Sequence, residues 1–94
     1  MNMPDIIKII VDTAGLEGHG AFIYLENQQS VLVGRHTGTG QTDLPLYNQL
    51  VSKQHCRLNR VHNDVYVEDL GSKNGTELNG QRLHPGQSYR IGDN

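Results

Sequence analysis

Short apolar runs, each cut off after a few residues by Gly, Asn or Asp, recur from one end of the chain to the other. No window of about eleven residues keeps the apolar stripe that an amphipathic helix needs. The pattern therefore predicts an all-β chain, with strands expected over residues 6–11, 21–25, 31–34, 43–46, 54–60, 64–69, 76–78, 81–83 and 88–91. Asp64-Val65-Tyr66-Val67-Glu68 shows the two-residue period of a strand with one buried face most plainly. Residues 47–51 read equally as a short helical turn. The 11 glycines are spread over the chain rather than gathered in a linker, as turn residues of a many-stranded β-sandwich would be.

The chain has 94 residues, enough for a single domain. A domain of this size buries roughly 60–65% of its unfolded surface, so its core must be economical. With one Phe and no Trp the core is aliphatic. It is expected to draw on residues 6–11, 22–25, 31–33 and 44–50, together with Leu58, Val65, Val67, Leu70, Leu78, Leu83 and Ile91.

Charge and cysteine content narrow the functional classes. A formal net charge of −2 argues against a general polyanion binder, so no nucleic-acid partner is expected. The single Cys56 cannot form an internal disulfide, which favours an intracellular, cytoplasmic setting. The apolar run 6–11 is too short and too polar, with Lys8 inside it, for a signal peptide or a membrane span. His19, His36, His62 and His84 are scattered without ligand spacing, so neither a metal nor another cofactor is expected.

Three polar segments carry the chemistry. Gly34-Arg35 ends the apolar run Val31-Leu32-Val33, which puts Arg35 at a strand rim. Ser52-Lys53-Gln54-His55 leads into another strand. Asp69-Leu70-Gly71-Ser72-Lys73-Asn74-Gly75-Thr76 is followed at once by Asn79-Gly80, and both Asn-Gly pairs are strong tight-turn signals. A hairpin turn is a sufficient account of Asn79-Gly80. Around Asn74, the density of donors from Ser72, Lys73 and Thr76 is unusual for a connector. If the fold brings Arg35, Lys53 and Lys73 together, they form a compact cationic pocket on a slightly acidic protein, and the planar fork of Arg35 suits phosphate oxygens. Ser52 and His55 also invite a hydrolase reading, but no Gly-x-Ser-x-Gly elbow surrounds Ser52. Cys56 and His55 are neighbours on an extended segment, so they face opposite ways and cannot act as a pair.

In order and spacing, Gly34-Arg35, Ser52-x-x-His55 and the run from Asp69 to Thr76 resemble the forkhead-associated (FHA) domain, a reader of phosphothreonine peptides. The resemblance implies an FHA-like β-sandwich of mostly antiparallel strands with recognition loops at one end. It implies a non-enzymatic module that binds phosphothreonine in partner proteins and couples Ser/Thr kinase output to assembly. Arg35 would be the principal phosphate ligand, Ser52 would donate its hydroxyl, and Lys53 would add charge or a backbone contact. Asn74 would hydrogen-bond the peptide backbone. Lys73 stands where some relatives carry a small hydroxyl residue, so it would replace that contact by an ionic one. Gly34, His55 and Gly75 would brace the loops. Gly92-Asp93 resembles the turn into the last one or two strands, so residues 1–94 read as one domain of a longer protein, lacking those strands. The edge thus left unpaired would invite self-association. The alternative function is an interaction or oligomerisation module of the same fold that ignores phosphorylation.

Overall fold

A computed structural model describes residues 6–11, 21–38 and 42–92. These residues form nine strands and no helix: β1 (Ile6–Val11), β2 (Ala21–Glu26), β3 (Ser30–Arg35), β4 (Leu44–Leu46), β5 (Cys56–Val61), β6 (Asp64–Asp69), β7 (Glu77–Leu78), β8 (Gln81–Arg82) and β9 (Ser88–Ile91). The expected strands agree with these to within two residues at each end. Residues 47–51, for which the sequence also allows a short helical turn, form a turn in which the Val51 amide donates to the Asn48 carbonyl. Among the described residues no helix is long and apolar enough to cross a membrane.

The centre of the fold is the β5–β6 hairpin. His62, with φ of 56°, and Asn63 close it between the paired residues Val61 and Asp64. Cys56 and Leu58 on β5 and Val65 and Val67 on β6 point to the same buried side, as strand alternation dictates. The hairpin lies inside a five-stranded sheet of order β4-β3-β5-β6-β9 in which only the β3–β4 contact is parallel. A β1–β2 ribbon and a short β7–β8 hairpin complete the structure. Ile7, Ile9, Val11, Ala21 and Ile23 of the ribbon and Leu78 of the hairpin pack against the core built on Leu25, Val31, Val33, Leu58, Val65, Val67 and Leu83.

The core differs from the expected list where strand geometry outweighs hydropathy. Ile6, Ile10 and Phe22 lie on the outer face of the ribbon, exposed, because a two-layered fold buries only alternate residues of such a strand. Leu50 is exposed because its amide is held by the Asn48 side chain in a turn that leaves Val51 as the inward anchor. Two buried polar residues were not anticipated. Arg60 is 2% exposed and donates from Nη1 to the Leu25 carbonyl and from Nε to the His62 carbonyl, both at 2.7 Å, tying the ribbon to the central hairpin. Asp69 is 1% exposed and organises the loop that follows β6.

Candidate functional site

Three loops meet at the end of the sheet where β3 stops. The Arg35 amide donates to the Ser52 carbonyl at 2.9 Å, which fastens the strand end to residues 52–55. Gly34 is buried, and a methyl group built on it would stand 2.0 Å from the Lys53 carbonyl oxygen. Only a residue without a side chain lets these two backbones approach so closely.

His55 joins the second loop to the third. Its Nδ1 accepts from the Ser52 amide at 3.0 Å, so the ring proton must sit on Nε2, which lies 2.9 Å from the Gly75 carbonyl and donates to it. The Ser52 hydroxyl accepts from the Lys73 amide at 2.9 Å. A hydroxyl that accepts in this way still has its proton to give. The Asn74 side chain donates to the Leu50 carbonyl at 2.8 Å, pinning the third loop to residues 47–51.

Beneath the third loop, the Asp69 carboxylate accepts from the amides of Gly71 at 3.0 Å and Ser72 at 3.1 Å, from the Thr76 hydroxyl at 2.7 Å and from the Ser72 hydroxyl. Burial works against its charge, but the hydrogen bonds from Ser72 and Thr76 outweigh it and hold the carboxyl below the usual carboxylate range. The Ser72 hydroxyl in turn accepts from the Gly75 amide at 3.1 Å, and Gly75 takes φ of 88° to complete the bend. Asp69 was not singled out from the sequence, although an Asp two residues ahead of a Gly and three ahead of a Ser is the signature of an Asx turn.

The fold thus gathers Arg35, Ser52, Lys53, Lys73 and Asn74 on adjoining loops, with Gly34, His55 and Gly75 at the contacts between them. Lys53, Lys73 and Asn74 are exposed and Arg35 and Ser52 are half-buried. None of the three cations is in an ion pair among the described residues, where the only such pair joins Arg90 to Asp64. The geometry speaks against hydrolysis, because His55 contacts the backbone of Ser52 rather than its hydroxyl and its other nitrogen is engaged. Cys56 is no better a nucleophile: burial, and then the charge of Asp69, push its thiol up to about 12.

Comparison with known proteins agrees with this arrangement. The family model for the FHA domain matches residues 31–94. The FHA domain-containing protein FhaB of Mycobacterium tuberculosis is 38% identical over 73 residues, covering 78% of this chain and 44% of FhaB. The chain therefore spans less than half the length of that relative. The FHA domain of FhaA, solved in complex with the intracellular domain of Rv3910, superposes with a TM-score of 0.65 at 25% identity, covering 82% of this chain and 77% of that one. An FHA domain solved in a study of phosphothreonine-dependent FHA interactions gives 0.66 at 25% identity, covering 82% of this chain and 73% of that one.

Proposed function

This chain belongs to the FHA-domain family of protein-interaction modules, and we propose that it binds partner proteins through phosphothreonine, without catalysing a reaction. The observation that carries the proposal is that Arg35, Lys53 and Lys73, in no ion pair among the described residues, stand on loops fastened together at Ser52, whose hydroxyl accepts from the Lys73 amide and keeps its proton to give. A phosphothreonine brings about −1.5 to −2 charge and three acceptor oxygens, which this set complements. The Arg35 fork takes two oxygens, Ser52 a third, and the lysines balance the remaining charge. The second N–H and the carbonyl of the Asn74 amide are available to the backbone of the bound segment. The solved FHA domain from work on phosphothreonine-dependent interactions supports the same reading by likeness. In this reading the chain is one module of a longer cytoplasmic protein, coupling a Ser/Thr kinase to assembly.

Calorimetric titration of a degenerate phosphothreonine peptide pool, beside the same pool unphosphorylated, tests it. Binding should require the phosphate, and Arg35→Ala should weaken it by about 30- to 1000-fold, the cost of losing one partner of a close, partly desolvated charge pair. Undiminished affinity in folded Arg35→Ala protein would refute the assignment.

A phosphate-independent second reading rests on the ribbon. β1 pairs with β2 on one side only among the described residues, and its outer face carries the exposed side chains of Ile6, Ile10, Phe22 and Tyr24. Such an edge can pair with a second copy. Sedimentation velocity would reveal a dimer indifferent to phosphopeptide, and a monomer at all concentrations would exclude it.

A further inference from the structure

Beside the proposed phosphate cradle, β8 contributes a cation that motif comparison did not bring forward. Arg82 reaches from β8 to the third loop, where its guanidinium lies against the backbone of Gly75. A methyl group built on Gly75 would stand 2.6 Å from Cζ, 2.7 Å from Nη2 and 2.8 Å from Nε. Gly75 is the residue whose carbonyl His55 holds and whose neighbour Asn74 is pinned to Leu50, so the arginine head rests on a firmly tied part of the loop. Arg82 is exposed, and among the described residues it is in no ion pair. Glu77 stands opposite it in the β7–β8 register without forming one.

We propose that Arg82 is a specificity-determining residue that reads a second anionic side chain, a carboxylate or another phosphate, in the segment bound at this end of the fold. The proposal rests on the phosphothreonine reading above. If Asn74 holds the backbone of the bound segment, that segment crosses Gly75 and passes over the Arg82 head. Charge leads to the same place. A phosphothreonine of up to about two negative charges is already matched by Arg35, Lys53 and Lys73. Arg82 is then a surplus cation, on a chain whose net charge is −2. Asp69 is already spent on four donors within the loop and cannot offset it. A guanidinium held flat against a glycine keeps its outer edge open to carboxylate or phosphate oxygens.

The test is a positional scan of phosphothreonine peptides in which each flanking position carries Ala, Asp, Lys or a second phosphothreonine, read by fluorescence anisotropy with the unaltered chain and with Arg82→Gln. The unaltered chain should prefer Asp or phosphothreonine over Ala at one flanking position by about two- to fivefold, the size expected of an exposed charge pair. Comparison of the Asp and phosphothreonine arms distinguishes the two anions. Arg82→Gln should abolish that preference while changing the affinity for Ala-flanked peptides less than twofold, and Arg82→Lys should restore part of it. In the unaltered chain the preference should shrink as salt is raised. A flanking preference that Arg82→Gln leaves intact, or equal affinities for acidic and neutral peptides, would overturn this proposal while leaving phosphothreonine binding standing. A chain that binds no phosphothreonine peptide at all would overturn both.

Discussion

Replacing Gly34 by Ala adds one methyl group, and the structure says where it would go. It would stand 2.0 Å from the Lys53 carbonyl oxygen and 2.8 Å from the carbonyl carbon, against backbone that cannot rotate away as a side chain can. A tolerable approach is about 3 Å, so β3 and residues 52–53 must part by roughly 1 Å. Overpacking of this kind costs about 1–3 kcal/mol. The hydrogen bond from the Arg35 amide to the Ser52 carbonyl, 2.9 Å long, lies directly beside the new methyl, and its loss adds about 1 kcal/mol. For a domain of this size each kcal/mol shifts Tm by about 4–8 °C, so a fall of about 10–30 °C is expected. Because Arg35 and Ser52 flank the displaced bond, phosphopeptide affinity of the remaining folded protein should fall with it. Differential scanning calorimetry and anisotropy measured below the new midpoint separate the two effects. An Ala variant with unchanged Tm and unchanged affinity would show that Gly34 is not needed for the contact between the loops.

Other expectations concern different parts of the scaffold. Gly80→Val should cost about 1–2 kcal/mol from backbone strain alone, since φ is 82° there and a side chain would meet nothing, and binding by the folded fraction should persist. Arg60→Met should destabilise by at least about 3 kcal/mol in urea denaturation, because the Leu25 and His62 carbonyls lose a charged donor in the interior. Asp69→Asn should cost about 2–3 kcal/mol and loosen residues 70–76, seen as faster amide exchange at Gly71 and Ser72. The depressed folded-state titration of Asp69 contributes stability that is present above the unfolded carboxyl value of about 3.9 and is lost as the pH falls below it through the folded value. Phosphopeptide affinity should already weaken below about pH 6 as the phosphate takes up a proton. Between those two ranges circular dichroism should report a folded protein that binds poorly, and coincident loss of both would contradict the scheme.

What the sequence disclosed depended on how local the determining physics was. Strand periods and tight turns are local, so Asp64–Asp69 and the Asn79-Gly80 turn, with φ of 52° and 82°, were legible to the residue. His62 at φ of 56° was not, because a histidine carries a weaker turn signal than glycine or asparagine and adopts that conformation here to close the central hairpin. The outer face of β1–β2 was misjudged because a run such as Ile6-Ile7-Lys8-Ile9-Ile10-Val11 is apolar on both sides and does not declare which is buried. The candidate binding residues were found by motif order, but their mutual support was not. That Ser52 receives the Lys73 amide, or that His55 reaches the Gly75 carbonyl, depends on contacts between residues about twenty apart. Arg60 and Arg82 illustrate the same point in opposite directions. Both are arginines near strand ends, and only tertiary packing makes one an interior tie and the other an exposed head.

The Asp69 carboxylate has a consequence for how such a module can change over generations. By drawing the amides of Gly71 and Ser72 inward, it commits part of the main chain of this loop to an anion the protein carries itself. Those amides are therefore denied to an external phosphate, unlike the amides of a nest that wraps its ligand. If this end of the fold binds phosphate as proposed, side chains that project from a finished scaffold carry more of the recognition. Such residues can be exchanged one at a time without reopening the fold. Loop architecture and ligand choice thus become separately heritable traits, and under the proposed reading a descendant could lose phosphate binding, or trade it for another anion, while remaining the same sandwich.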